Sequence, residues 1–178
     1  MIKSRRSVRK YKQEPVSREL MKEIIEVARF APSWANFQIA RYTLIDNHAR
    51  IQQLGADAVH GFVYNVDTLK NAPGVAVLSF VKGKSGKLDP DKADYATTKG
   101  KIWEVFDAGI ACQTFCLAAE AKGVATCIFG VIDDDSIAKI AQLPEDETVA
   151  ALIVYGYEEG STPETKRKAV DEILRFVD

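Results

Sequence analysis

One continuous apolar stretch, from residue 103 to residue 130, limits the possible folds of this chain more than any other feature. It contains no charged residue between Asp107 and Glu120. A helix that is apolar on nearly every side must be covered on more than one face. The run is short for a membrane span, and Gln113 and Thr114 interrupt it. The stretch therefore predicts a central core helix that leads by a short turn into a buried strand.

Small residues recur along this predicted helix, and they are Ala108, Gly109, Ala111, Ala118 and Ala119. Small side chains let two helices approach closely, both inside one domain and between two copies of a chain. Two interpretations therefore stay open: a helix covered entirely by its own domain, or a helix with one face against a second copy. Gly123 is placed to end the helix.

Bulk properties exclude several classes of protein. The 178 residues suit one domain over residues 1–178, with 47% hydrophobic and 28% charged residues. A net charge of −1 argues against a chain that mainly binds nucleic acid, because binding phosphates requires a basic excess. The polar, basic N-terminus lacks the apolar core of a signal peptide, and we expect no membrane partner.

The three cysteines, Cys112, Cys116 and Cys127, all lie in apolar segments. An odd number of buried-looking cysteines fits reduced thiols in a cytoplasmic protein, not a disulfide framework. The only histidines are His48 and His60, and no ligand spacing typical of zinc is present. We expect no metal site.

Helical patterns separate the predicted strands, which cover residues 41–45, 74–81, 124–129 and 148–157. This alternation predicts a layered α/β or α+β sandwich with a central sheet. The polar connection over residues 82–101 is long for a compact domain, which indicates a lid, a binding loop or disorder. The apolar C-terminus must pack on its own domain or on a partner.

Two basic clusters and one aromatic loop remain as candidates for binding. Residues 3–12 hold six Lys and Arg residues, which form either a solvated arm or an anion site. A second cluster covers residues 166–168. The loop over residues 32–38 combines Trp34 and Phe37 with amide side chains, and it either plugs the surface or lines a flat pocket. If both ends of the chain converge, they would grip the phosphate of a planar cofactor, which would supply the chemistry.

Read in order, these segments resemble the FMN-dependent nitroreductase family. The matching segments are Arg5–Tyr11 with Pro15–Val16, Ala31–Gln38, Asp107–Ala111, Gly123–Gly130, and Gly156–Tyr157 with Lys166–Lys168. The resemblance implies an α+β fold: a three-layer α-β-α sandwich with a central mixed, mainly antiparallel sheet. It also implies an intertwined homodimer with two FMN sites at the subunit interface, each built from both chains.

The resemblance further implies the activity of an NAD(P)H oxidoreductase. By a ping-pong mechanism, NADH or NADPH would reduce the flavin at N5, and a nitroaromatic, quinone or related small electrophile would then take the electrons. No catalytic side chain is required, which agrees with the absence of a recognisable triad. The alternatives are a reductive dehalogenase or flavin-consuming enzyme of the same fold, or a non-catalytic flavin-binding protein.

Site residues follow from the same resemblance. The resemblance implies that Arg5, Arg6 and Ser7 lie at the ribityl phosphate. Lys166 and Lys168 would close on this phosphate, with Arg167 as an alternative to either lysine. Arg9 would lie near the pyrimidine edge of the flavin. The other subunit would contribute residues that border the isoalloxazine ring, and these are Pro32, Ser33, Trp34 and Asn36. The rest of the ring would contact Asn65 and the backbone of Cys127, Ile128, Phe129 and Gly130.

The chain departs from the family pattern in three places. Ile39 and Ala40 stand where many relatives have Pro-Trp. Trp34 stands where small residues are common, which would narrow the pocket or change the substrate. The chain is short, so we expect the inserted lid helices of larger members to be reduced to residues 82–101.

Overall fold

A computed structural model describes residues 2–177 of the chain. Its helices are α1 (Arg18–Ala28), α2 (His48–Asp57), α3 (Val63–Lys70), α4 (Ile102–Ala121) and α5 (Asp134–Ala141). Its strands are β1 (Ala40–Ile45), β2 (Gly74–Val81), β3 (Ala125–Phe129) and β4 (Glu147–Gly156). The predicted strands are confirmed to within one residue at each end.

The four strands form one sheet in the order β1-β2-β4-β3, and each neighbouring pair is antiparallel. At the free edge of β3, the N-terminal arm adds one isolated parallel bridge, between Ser7 and Thr126. β2 lies between two strands and is buried from Gly74 to Phe80, which explains why its sequence is a continuous apolar run. The sheet order could not be read from the sequence, because it depends on pairings between distant segments.

Helices cover both faces of the sheet. Along β2, Val75 and Val77 pack in a cluster with α2, α3 and α5, whereas Ala76 and Leu78 pack in a second cluster with α1 and α4. Successive side chains of a strand point to opposite faces, so one strand supplies both cores. The layers confirm the α-β-α sandwich.

The long helix α4 begins one residue before its predicted start. Nine of its residues are buried, and they include all four alanines of the small-residue set. Gly109 is the one member of that set that faces solvent. The exposed side of α4 is apolar nonetheless, because Ile102, Val105 and Phe106 are 64%, 59% and 54% exposed.

The sequence argument that α4 is too short to span a membrane is wrong on length. Its 20 residues extend about 30 Å, and length and composition alone would allow a span. Half of its most apolar window is buried against the protein itself. Packing on α1 and the sheet therefore accounts for the buried part of its apolar surface.

The basic N-terminal arm does not extend freely into solvent. The Val8 N–H donates to the Thr126 carbonyl oxygen at 3.0 Å, and the Lys12 N–H donates to the Tyr157 carbonyl oxygen at 2.9 Å. Tyr11 is 2% exposed, and its hydroxyl donates to the Val8 carbonyl oxygen at 2.6 Å. The backbone of the arm is therefore fastened along the sheet edge, while the side chains of Lys3, Arg9, Lys10 and Lys12 stay exposed to solvent.

Alkaline pH should unfold the protein through its buried phenols. Burial raises the pKa of Tyr11 well above its ordinary value and raises the pKa of Tyr155 to about 12. A phenol whose pKa is higher in the folded chain stabilises the fold below the pKa of the unfolded chain, about 10. That contribution is lost as the pH rises through the folded pKa. We expect the urea midpoint to fall as the pH is raised from about 10 to about 12.

Tyr11→Phe tests this expectation. It should cost about 1–2 kcal/mol at pH 7, because it removes the hydroxyl's hydrogen bonds, and it should flatten the alkaline decline. The exposed Tyr64→Phe is the control and should leave the decline unchanged. Equal declines in the Tyr11→Phe variant and the original chain would contradict the assignment.

Candidate functional site

Arg5, Arg6 and Ser7 lie where α4 ends and β3 begins. Ser7 bridges to Thr126. The half-buried Arg6 guanidinium donates to the Lys3 carbonyl oxygen at 2.6 Å, so its donors are partly engaged by the arm itself. The arm therefore carries a row of cationic donors, and its pairing with the edge of β3 fixes its backbone.

The second basic cluster approaches this arm. Arg6 Nη2 lies 3.6 Å from Glu164 Oε2, and Lys166 follows two residues later, within about 7 Å of chain. Lys166 and Lys168 are exposed, whereas the Arg167 guanidinium donates back to Thr165 Oγ1 at 2.5 Å. Both basic clusters thus occupy the same end of the molecule, and the two lysines face outward.

Arg9 lies beside the far end of β3. Its Nη1 donates to Asn65 Oδ1 at 3.3 Å, and its guanidinium carbon lies 5.4 Å from the centre of the Phe129 ring. Asn65 is 2% exposed and donates in turn to the Val131 carbonyl oxygen at 3.3 Å. These contacts orient the Arg9 guanidinium, and among residues 2–177 no acidic side chain forms an ion pair with it.

The backbone next to Arg9 is turned outward. The Thr126 carbonyl oxygen points to the arm, away from β4. Hydrogen-bonding direction alternates along a strand, so the N–H and C=O of Ile128 point to the same edge. Cys127 and Phe129 are buried at 1% exposure and Thr126 at 2%, whereas the side chain of Ile128 is 43% exposed. The end of β3 therefore offers backbone donors and acceptors beside a fixed cation.

The loop over residues 32–38 is held in an unusual conformation. Ala35, Asn36 and Gln38 have φ angles of 45°, 57° and 50°, which favour glycine. Each such residue costs on the order of 1 kcal/mol, and this kind of strain concentrates at functional sites. Within the loop, Ser33 Oγ accepts from the Gln38 N–H at 2.9 Å. Pro32 and Asn36 are exposed.

The predicted site residues form two groups at opposite ends of α4. The loop over residues 32–38 contacts Asp107, near the first turn, because the Trp34 N–H donates to its carboxylate. The arm contacts Glu120, in the last turn, because Ser4 Oγ donates to Glu120 Oε1 at 2.7 Å. The two contact points are about 20 Å apart along the helix. One chain does not bring both groups to the same ligand.

Sequence reasoning missed two buried acids at the start of α4. Glu104 is 6% exposed and accepts from the Gly83 N–H at 2.6 Å, and Asp107 is 3% exposed. Their signal was present in the sequence, because acids occur in the first turns of a helix that is otherwise apolar. Their partners lie in distant loops, which the local pattern does not reveal.

Residues 82–101 form a compact, hydrogen-bonded loop, so the disorder alternative is wrong. The Ala96 N–H donates to the Gly86 carbonyl oxygen at 2.7 Å. Gly86 has a φ of +87°, and a Cβ there would lie 2.8 Å from the Gly100 carbonyl oxygen. The loop closes at this point because only glycine fits.

The three thiols are part of the core. Cys112, Cys116 and Cys127 are free and at most 7% exposed. A hydrogen bond from the Cys112 thiol lowers the pKa of Cys116, yet the sulfur is fully buried. Among residues 2–177 no cluster of His, Cys, Asp and Glu could hold a metal ion.

The chain is similar to known proteins over most of its length. The sequence model of the nitroreductase family matches residues 2–157. The chain is 26% identical to the putative NAD(P)H nitroreductase YfhC of Bacillus subtilis over 182 residues, covering 94% of this chain and 87% of YfhC. It is 24% identical to the nitrobenzene nitroreductase of Ectopseudomonas oleovorans over 217 residues, covering 99% and 95%.

Solved structures agree on the fold. A nitroreductase family protein from Streptococcus pneumoniae superposes with a TM-score of 0.85 at 18% identity, covering 98% of this chain and 97% of that one. An FMN-dependent nitroreductase from Clostridium difficile superposes with a TM-score of 0.73 at 23% identity, covering 99% and 98%.

Proposed function

The chain belongs to the nitroreductase family, and from this premise we propose that it is an FMN-dependent NAD(P)H oxidoreductase working as a homodimer. When bound, FMN would take a hydride from NADH or NADPH at N5 and return electrons to a nitroaromatic, a quinone or a similar electrophile, in a ping-pong cycle. The chain's own residues would bind and orient these groups. The free, buried thiols support a reducing, cytoplasmic location.

The observation that carries the proposal is the fixed guanidinium of Arg9 beside the open edge of β3. Negative charge grows on the pyrimidine end of a flavin when it is reduced, and a positioned cation stabilises that charge. Asn65 and Phe129 hold Arg9 from two sides. The backbone of Ile128, on the same edge, would hydrogen-bond to the polar rim of the ring.

The basic residues fit the other end of this cofactor. A phosphate monoester needs several charge-assisted donors, and Arg5, Arg6, Lys166 and Lys168 lie at one end of the molecule. Ser7 adds a hydroxyl. The phosphate and the pyrimidine edge would therefore lie along one edge of the protein, marked by the N-terminal arm.

The exposed face of α4 supports assembly into a dimer. Ile102, Val105, Phe106 and Gly109 follow one another at helical spacing and remain open to solvent. If two such helices cross in opposite directions near Gly109, the last turn of one lies beside the residues that precede the first turn of the other. The arm of one chain would then face the end of the partner's α4 at which the partner's segment over residues 82–101 and its loop over residues 32–38 lie, and the two half-sites would form one pocket.

The C-terminal segment supports the same assembly. Its apolar side chains are 46–96% exposed, and they are Val170, Ile173, Leu174, Phe176 and Val177. A segment this apolar requires a cover. Because its own chain does not bury it, we propose that it packs on the second copy.

The purified protein should be yellow and should release FMN, not FAD, on heating. NADH or NADPH, added without oxygen, should bleach the flavin absorbance, and a quinone should restore it. A colourless protein that takes up no added FMN would overturn the proposal. Bound flavin that neither nucleotide reduces would instead leave a flavin-binding role without catalysis.

A further inference from the structure

Asp107 is a buried carboxylate held entirely by uncharged donors. The Trp34 N–H lies 3.1 Å from Oδ1 and 3.0 Å from Oδ2, and the Ser85 hydroxyl donates to Oδ2 at 2.5 Å. No ion pair among residues 2–177 includes Asp107. A buried carboxylate without a cation depends on its hydrogen bonds to offset lost hydration. These three residues, Asp107, Trp34 and Ser85, are called the Asp107 latch.

The latch joins two loops that are far apart in sequence. Trp34 belongs to the loop over residues 32–38, and Ser85 belongs to the segment over residues 82–101. The Trp34 indole N–H also donates to the Lys87 carbonyl oxygen at 2.5 Å, and its ring meets the Trp103 ring at 4.9 Å. Among the described residues, no backbone–backbone hydrogen bond connects the two loops. Side chains at the start of α4 therefore determine how the loops lie against each other.

The strained residues follow the latch directly. Ala35 and Asn36, with φ angles of 45° and 57°, come after Trp34. Strained backbone persists when the surrounding structure over-determines it. Asp107 fixes the Trp34 N–H while Trp103 and Lys87 fix its ring, so the conformation of the loop is set from two sides.

We propose that Asp107 is a positioning residue: through Trp34 and Ser85 it holds the loop over residues 32–38 and the segment over residues 82–101 as one wall of the substrate pocket, and this wall selects the electron acceptor by size. The proposal rests on the proposed function, because the loop borders the flavin only in the assembled dimer. Trp34 accordingly fastens the segment in place, and the segment limits the space in front of the ring.

Ser85→Ala is the cleanest test, because it removes one latch donor and lies outside the proposed flavin contacts. With the FMN-loaded dimer, we expect the KM for a bulky naphthoquinone to change about threefold or more relative to the KM for benzoquinone, while kcat for benzoquinone stays within about twofold. Ser85→Thr retains the hydroxyl and should restore the original KM ratio. The exposed Ser161→Ala is the matched control.

Tryptophan emission gives a second measurement that does not require flavin. The chain has two tryptophans, Trp34 and Trp103, and both lie at the latch. Asp107→Asn keeps the shape of the side chain but loses a charged acceptor, so we expect it and Ser85→Ala to shift the emission to the red. Trypsin should also cut the lysine-rich segment over residues 82–101 several times faster.

The outcomes are separable. Unchanged emission and unchanged proteolysis in both variants would overturn the latch, whether or not the protein binds FMN. Altered emission with an unchanged KM ratio would overturn the role in selecting acceptors. If Asp107→Asn does not fold, Ser85→Ala decides both points. A protein that never takes up FMN refutes the proposed function, and with it the role in selectivity, while the emission data still show whether the latch exists.

Discussion

Gly109→Arg is expected to separate the two copies and to release the flavin with them. Gly109 faces solvent on the apolar side of α4, and a Cβ there would meet nothing within 4 Å. The single chain therefore tolerates the side chain, and the helix gains roughly 0.7–1 kcal/mol of propensity. At a contact between two helices the same arginine would bury an unpaired charge, which costs several kcal/mol, about 100-fold or more in affinity.

Light scattering should show half of the original mass, and the flavin content should fall from about one per chain to near zero. Gly109→Ala adds one methyl group and should keep both mass and colour. The buried alanines of α4 make poor probes: Ala111 and Ala118 are 3% and 4% exposed, so arginine at either would unfold the chain itself. A folded Gly109→Arg protein that stayed dimeric and yellow would place the interface elsewhere.

Arg5→Ala combined with Lys168→Ala should produce the other large effect, a loss of FMN affinity. Each charge-assisted hydrogen bond to the phosphate contributes about 1.5–3 kcal/mol, so the pair should weaken FMN binding by about 10²- to 10⁴-fold. Arg6 is the weaker choice for a test, because Glu164 and the arm carbonyls already engage its guanidinium. Titration of the apo-protein with FMN, followed by the quenching of flavin fluorescence, measures the change.

A charge-matched control separates this effect from a general loss of positive charge. Lys22→Ala with Lys139→Ala removes two exposed lysines from α1 and α5, outside both basic clusters, and should leave FMN affinity near the original value. Original affinity in the Arg5 and Lys168 variant would contradict the phosphate assignment. Arg167→Ala would then show whether the register of the second basic cluster is shifted by one residue.

The elements of the fold could be predicted because burial leaves a local trace in the sequence. The continuous apolar run of β2 and the serine cap of α1, whose Ser17 hydroxyl accepts from the Leu20 N–H at 3.1 Å, are patterns within a few residues. The split between α2 and α3 leaves a weaker trace in the sequence. Gly61 marks the break, whereas Gly55 lies inside α2 and lets it approach Leu69.

The exposed face of α4 could not be predicted from hydrophobicity. On this helix Phe106 is 54% exposed whereas Phe115 is fully buried together with small alanines, so residue size does not distinguish the exposed side from the buried side. Only the three-dimensional structure shows which side the protein itself covers. The small-residue pattern indicated close packing correctly, but most of it faces the core.

Some residues of the candidate site could be identified from the sequence, and others only from the structure. Motif resemblance locates Arg9 and Asn65, and their contact with each other is a property of the fold. It does not locate Asp107 as a loop anchor, because its partners Trp34 and Ser85 lie 73 and 22 residues away. Each flavin contact that the resemblance assigns stays a prediction.

The placement of the two half-sites at opposite ends of α4 has a genetic consequence. In the proposed dimer every pocket combines the arm of one chain with the loop of the other. A chain with a defective arm and a chain with a defective loop would each be inactive alone. Mixed in one cell, they would form a dimer with one doubly defective pocket and one pocket in which every residue is intact, so two inactive alleles would complement each other.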